Sequence, residues 1–527
     1  MALLGIDLGT SGVKALLIRE DGAAIASATV EYPLSTPRPL WSEQDPADWW
    51  RGVCEVMRAV MAQANLKGSD IRAIGLSGQM HGLTLLDKDG QVLRPAILWN
   101  DQRTGAQCDE ITRLAGGKQR VLELTANVVL PGFTAPKILW VRENELEIYA
   151  RVAHVLLPKD YIRYKLSGEY ATEVSDASGM SVFDVRHRTW SDEMLRLLDI
   201  PREWMPRCAE SHEVTARVSA NGAAETALVA GTPIVGGGGD NAAGAVGNGV
   251  VREGIVSVSI GTSGVVFATS EKFAMEPAGN LHAFCHAVPS TWHMMGVMLS
   301  AGGSLRWHRD VISRGRDSRL EVGDTSRPTT RQSVQSPIST QSDQSLVSYD
   351  DLMADVETVP PGAEGLVFLP YLTGERCPYP DPLARGAFVG LTLRHTQAHM
   401  TRAVVEGITY GLADSLTLIR GLGVRIDEVR AIGGGARSAV WRQMLADVFQ
   451  TEITLINSSE GGAFGVALLA GVGAGVWSGA REACDATLRV TTRIGPAKDA
   501  AMRERYATTY ARYRELYPAL SGIFAKL

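Results

Sequence analysis

Met1-Ala2-Leu3-Leu4-Gly5-Ile6-Asp7-Leu8-Gly9-Thr10-Ser11-Gly12-Val13-Lys14-Ala15-Leu16-Leu17-Ile18 opens the chain. Two apolar runs flank Gly9-Thr10-Ser11-Gly12, and one carboxylate, Asp7, stands just ahead of that turn. The pattern predicts a β-hairpin with a small, hydroxyl-rich tip. Glycine lets a backbone approach an anion closely, Thr10 and Ser11 offer donors, and Lys14 adds positive charge. Asp7, at the end of a buried strand, faces the same space, where a carboxylate suits hydrated Mg²⁺. An ordinary hairpin whose Asp7 only satisfies the turn accounts for this stretch equally well.

An internal echo tips the balance. Ser259-Ile260-Gly261-Thr262-Ser263-Gly264-Val265 repeats Asp7-Leu8-Gly9-Thr10-Ser11-Gly12-Val13, with serine in place of the acid. Two hairpins of one kind, half a chain apart, predict two related α/β domains, residues 1–247 and 248–527, facing a shared cleft. Each loop can serve one polyphosphate, but only the first brings an acid for metal.

Length and composition agree. A chain of 527 residues suits two large domains, and 45% hydrophobic with 21% charged residues suits a soluble globular protein. A net charge of −6 gives no electrostatic case for nucleic acid or an anionic membrane. The six cysteines (Cys54, Cys108, Cys208, Cys285, Cys377, Cys484) form no CxxC pair, which argues against zinc or a disulfide framework and for a reducing compartment. The chain enters a strand at once, without a basic, cleavable leader. Ala463 to Trp477 is too short and too broken by glycine to cross a membrane. A cytoplasmic protein is expected.

In chain order, Asp21-Gly22 turns into a third strand, Ala23 to Val30. Asp45 caps a helix with Pro46 in its first turn and Trp49, Val53, Met57 and Val60 on its core side. A strand, Ile71 to Leu76, runs into Ser77-Gly78-Gln79-Met80-His81-Gly82, a loop built to face a ligand. Met80 and His81 are its candidate contacts, although packing would account for either alone. At Leu98 to Arg103, Trp99 reads either as an apolar platform for a sugar or as a buried tryptophan beside a surface salt bridge. Gly132 to Lys137 precedes a helix with Trp140, and Leu156 to Tyr161 is another strand-to-helix passage.

Gly236-Gly237-Gly238-Gly239-Asp240-Asn241 follows Ile234-Val235. Four glycines give the backbone freedom to bring Asp240 to a reaction centre, and Asp240 is also placed to cap the small-residue helix after it. Residues 313–348, dense in Ser, Thr, Gln and Arg, read as a disordered surface insertion. A strand, Leu366 to Leu369, a Pro- and Gly-rich segment to Gly390, and a helix from Gln397 to Gly421 come next. Ala431 to Arg437 is a third glycine-rich strand end, ahead of a helix around Trp441, Met444, Leu445 and Val448. Its backbone can lie flat against an adenine ring. No GxxxxGK[ST] loop is present, and no GxGxxG follows a strand. The C-terminal helix, Tyr506 to Leu516, serves either the core or an interface in a homodimer.

These residues together resemble the FGGY carbohydrate kinases, and within them are most similar to the xylulokinases. The resemblance rests on Gly5 to Lys14, Trp41 to Pro46, Gly78 to Gly82, Ile97 to Asp101, Pro131 to Trp140, Gly237 to Gly244, Gly261 to Val265 and Gly433 to Arg437. Gly132 to Asn144 and Gly386 to Glu406 look like the family's two signatures. The resemblance implies two actin-like, ribonuclease-H-like ATPase domains around a deep cleft. It implies ATP and Mg²⁺, with Asp240 as catalytic base, Met80, His81, Trp99 and Asn241 at the sugar, and Asp7 near the metal. Thr10, Ser11, Lys14, Gly261 and Thr262 would line the phosphates, and Gly434, Gly435 and Ala436 the adenosine. Phosphorylation of D-xylulose is the activity implied, with gluconate or another ketose as the alternative. A non-catalytic actin-like ATP-binding protein and a sugar sensor are the rivals from other classes.

Overall fold

A computed structural model describes residues 1–317, 347–458 and 460–527. The opening stretch forms the predicted hairpin, Ala2–Leu8 against Gly12–Ile18, antiparallel. Beyond it on one side lies Ala24–Glu31, and on the other, parallel, Ile71–Gly78, then Pro233–Val235 and the antiparallel edge Val214–Arg217. Gly238–Gly239 adds a short parallel pairing on the end of Ile71–Gly78.

The second sheet repeats this plan. Gly254–Ile260 and Gly264–Ser270 make the hairpin, Trp292–Met298 follows it, and Ile426–Ile432, Glu452–Ile456 and Val490–Ile494 extend the other side in the same parallel, parallel, antiparallel sense. One strand, His282–Cys285, is added at its edge. The first sheet draws only on residues before 248 and the second only on residues after it. The two echoes nonetheless differ in register by one residue: Leu8 faces Val13, whereas Ile260 faces Gly264. Lys14 therefore sits opposite Asp7, while Val265 sits opposite Ser259.

The helix Gly461–Gly473 comes from the second half of the chain but packs on the first sheet, against Leu3, Leu16, Ala73 and Val235. Glycines in the strands admit it: a Cβ on Gly5 would lie 1.9 Å from the Ala463 carbonyl oxygen, and one on Gly75 2.0 Å from that of Val466. The apolar run that begins at Ala463 is thus a core helix, and among the described residues no helix is long and apolar enough to cross a membrane.

Other expectations meet the structure in detail. Asp45 caps Pro46–Ala64 through its side chain, and Trp49, Val53, Met57 and Val60 are buried. Gln397–Gly421 is one helix. The third strand runs one residue later than predicted, to Glu31, and the helix bearing Trp140 starts at Thr134, within the segment expected to precede it. The 313–348 insertion falls largely on 318–346, outside the described residues; Ser313 itself is buried in the helix Gly302–Asp317, and Val347 N–H donates to its Oγ at 3.1 Å. The C-terminal helix, Ala500–Phe524, turns Tyr506 and Tyr513 into the core.

Candidate active site

The ends of the central strands of the first sheet carry three of the predicted groups. Asp7 pairs in register with Ser77 of the next strand and with Lys14 of its own hairpin. Burial pushes its pKa up, opposed by the Ser77 hydroxyl and Lys14. Its Oδ1 is buried with no hydrogen-bond partner among the described residues. A desolvated, unpaired carboxylate oxygen is a ready cation ligand. Lys14 Nζ lies 2.5 Å from Glu460, just before the crossing helix, so its charge is already paired.

Thr10 is committed too. Its hydroxyl donates to Gln79 Oε1 at 3.2 Å and accepts the Trp99 indole N–H at 2.9 Å. Gln79 Nε2 donates to Gln44 Oε1, which also takes the Trp49 indole N–H, both at 3.0 Å. The hydroxyl proton of Thr10 therefore braces the ligand-facing loop, and Ser11 is the exposed hydroxyl of this turn. In the second hairpin Thr262 is exposed, while its carbonyl and that of Gly261 accept from Gly303 N and Gly302 N at 2.9 and 2.8 Å.

Trp99 overturns one of its two readings. It is 42% exposed, whereas the Asp101–Arg103 pair beside it, closed at 2.6 Å, is buried. The tryptophan is on the surface and the salt bridge is inside. The Arg103 guanidinium also lies 3.6 Å from the Trp41 ring centroid and 2.7 Å from Glu43, so Trp41, Ser42 and Glu43 close around this ion pair.

His81 holds a left-handed backbone (φ 68°), fixed by Lys137 Nζ and Thr134 Oγ1, which donate to its carbonyl at 2.9 and 3.1 Å. Lys137 is buried there, and desolvation pulls its pKa down to about 7. His81 Nδ1 lies 3.1 Å from the Gly179 carbonyl. Burial, with Lys137 nearby, holds the ring well below its ordinary pKa. The ring is therefore neutral, Nδ1 carries the proton, and Nε2 is left as an acceptor. Met80 is only 4% exposed and is packed with Phe133 and Phe284. A Cβ on Gly239 would meet its Cγ at 2.8 Å.

Asp240 is the first residue of the helix Asp240–Gly247 and is exposed. The expectation that it caps this helix is corrected: Gly239 occupies the cap position. The glycines before it are not a flexible tether either. Gly238 and Gly239 pair with Ser77 and Gly78, and a Cβ on Gly237 would fall 1.9 Å from the Leu76 oxygen. They are small because the strand lies directly on its neighbour. Asn241 donates to Asp240 Oδ1 from its backbone and its amide. The protein packed around Asp240, and then the charge of Asp7, raise its pKa to about 7 against those bonds.

The second domain holds a cavity of about 860 Å³ lined by Gly261, Thr262, Gly434, Gly435 and Trp441. Thr10, Ser11, Lys14 and Ala436 are not part of its wall, and Ala436 is buried. Gly433 and Gly435 also serve packing, since a Cβ on Gly435 would meet Ile260 Cγ2 at 2.5 Å. Tyr349, Asp350, Met353 and Glu357 complete the wall. They sit on the helix Tyr349–Glu357, which nothing in the sequence pattern marked for a ligand.

Comparison with known proteins now fits this geometry. The profile described as "FGGY family of carbohydrate kinases, N-terminal domain" matches residues 2–247, and its C-terminal counterpart matches residues 256–474. The chain is 43% identical to the xylulose kinase of Escherichia coli K12 over 89% of its own length and 90% of that protein. It is 37% identical to that of Bacillus subtilis 168 over 98% and 96%. A crystal structure titled as a xyloylose kinase from Brucella ovis superposes with a TM-score of 0.87 at 38% identity, covering 99% of this chain and all of that one. A xylulose kinase from Rhodospirillum rubrum gives 0.87 at 30% identity over the whole of both chains. The two duplicated sheets are therefore the actin-like, ribonuclease-H-like pair, and the chain belongs to the FGGY family of carbohydrate kinases.

Proposed function

We propose that this kinase transfers the γ-phosphoryl group of ATP to a hydroxyl of D-xylulose, giving D-xylulose 5-phosphate, with Asp240 as the general base. The observation that carries the mechanism is Asp240 itself: an exposed carboxylate with a pKa near 7, whose Oδ1 is engaged by Asn241. Oδ2 is then the atom that accepts the hydroxyl proton as the sugar oxygen attacks phosphorus. The sugar is supported by the names of the relatives at 37–43% identity.

In this reading His81 Nε2 accepts a sugar hydroxyl, Trp99 offers its exposed ring to an apolar sugar face, and Met80 backs the strand beneath Asp240. Thr262, Gly261, Gly434 and Gly435 take the nucleotide, and Ser11 adds a hydroxyl from the opposite domain. Asp7, whose Oδ1 lacks a partner among the described residues, would hold Mg²⁺. When bound, the ion would neutralise phosphate charge. A cytoplasmic setting suits six free cysteines and a dependence on ATP.

The test is ADP release in a coupled assay, with D-xylulose set against other ketoses, glycerol and gluconate, and Asp240→Asn run alongside. Turnover on D-xylulose that collapses in the variant supports both sugar and base. Preference for another acceptor overturns the sugar, and an active Asp240→Asn overturns the base.

A further inference from the structure

Behind the Asp240 strand lies a group of charges that the reaction itself does not use. Lys159, Asp160, Arg163, Glu173 and Asp176 all have side chains with no exposure. Lys159 Nζ lies 2.8 Å from Asp160, 2.9 Å from Asp176 and 3.5 Å from Glu173. Three carboxylates meet two cations, and desolvation raises the Asp176 pKa to about 8, so a proton evens the charge at neutral pH. Buried ion clusters add little net stability over apolar packing, so stability alone is a weak reason for this one.

Several of its outward bonds reach the segment that leads into Asp240, and others go to Ser211 and Thr215. Arg163 donates to the carbonyls of Val235 and Gly236 at 2.7 and 2.6 Å. Glu173 Oε1 accepts the Ser175 hydroxyl at 3.0 Å, and Oε2 accepts Ser175 N–H at 2.7 Å and Ser211 Oγ at 3.0 Å. With its proton spent on Glu173, the Ser175 oxygen accepts the N–H of Gly239 at 3.1 Å. Gly239 is the residue immediately before Asp240, and it has no side chain of its own to anchor it.

We propose that Ser175, oriented by Glu173 and Lys159, is a positioning residue for Asp240: its hydroxyl sets the rotation of the peptide that leads into the base. This rests on Asp240 being that base. A buried Gly239 N–H left without its acceptor turns toward another partner and takes the following carboxylate with it. Small misplacements of a reacting group are costly, about 100-fold for 1 Å.

Steady-state kinetics on the full chain test this with Ser175→Ala, Ser175→Thr, Asp240→Asn and the double variant Ser175→Ala/Asp240→Asn. Ser175→Ala is expected to lower kcat about 10- to 100-fold with KM for ATP within about twofold, and Ser175→Thr to recover most of kcat. In the Asp240→Asn background, Ser175→Ala is expected to cost nothing further, because it acts through Asp240. Wild-type kcat in Ser175→Ala, a loss that Ser175→Thr does not restore, or a loss that multiplies with Asp240→Asn each overturns the proposal. Full activity in Asp240→Asn alone overturns the base and leaves the other comparisons to stand apart. Should Ser175→Ala not fold, Ser175→Cys, close in size with a weak acceptor, is read by the same criteria.

Discussion

Asn241 makes two bonds to Asp240, from its backbone N–H at 2.7 Å and its side-chain amide at 2.9 Å, and both end on Oδ1. Both favour the ionised carboxylate and oppose the surrounding protein and the Asp7 charge that raise its pKa. Removing the amide in Asn241→Ala is expected to move the acid limb of the kcat–pH profile to higher pH. At pH 7 kcat should fall severalfold, and it should recover at pH 8.5. An acid limb that stays put would show that the amide does not hold Asp240.

The same pKa makes a stability prediction of the opposite sign to a salt-bridged acid. Folded Asp240 titrates near 7 and an unfolded aspartate near 3.8, so the folded state binds the extra proton between those values. This group's contribution to stability is therefore most favourable at low pH and is lost as pH rises through that window. Asp240→Asn should raise the denaturation midpoint of the ligand-free enzyme at pH 8 and leave it unchanged at pH 4. In the proposed role of general base, its loss is expected to cost about 10² to 10⁴ in kcat.

Gly179 faces the His81 ring so closely that an added Cβ would lie 2.1 Å from Cε1. Gly179→Ala must displace the ring. KM for the sugar is expected to rise about tenfold or more while KM for ATP holds, since the cavity proposed for the nucleotide is lined by other residues. Initial-rate measurements with each substrate varied separately decide this.

Asp101 and Arg103 form a buried pair, with Ser42 N–H also donating to Asp101 Oδ2 at 2.7 Å. Asp101→Ala leaves the guanidinium with Glu43, 2.7 Å away, as its remaining carboxylate, and strands the buried Ser42 N–H. The expected loss is about 1–3 kcal/mol of stability, the cost of buried donors left without their acceptor, read as a lower urea midpoint. Trp99→Ala, on the exposed ring nearby, should leave that midpoint almost unmoved.

Local pattern carried much of this architecture. The Asp45 cap, the Gln397–Gly421 helix and the opening hairpin are set by neighbours a few residues away. The seven-residue echo carried the duplication, although not the one-residue difference in register, which depends on how Gly302 and Gly303 tie down the second turn. What the pattern hid depends on partners far along the chain. Lys159-Asp160 reads as a polar helix start, and only Glu173 and Asp176 make it an interior cluster. The Thr10 hydroxyl looks free until Gln79 and Trp99 are brought to it. Glycines at 5, 75 and 237 resemble loose backbone but mark contacts too close for any side chain.

The helix Gly461–Gly473 also has a meaning for synthesis. When Gly247 leaves the ribosome, the first sheet's strands are all made, but the helix that covers Leu3, Ala73 and Val235 is still about 210 residues away. At ordinary elongation rates that is a wait of roughly 10 to 40 s. Throughout it an apolar face is open to other nascent chains, so the N-terminal half is the part of this kinase with most need of a chaperone.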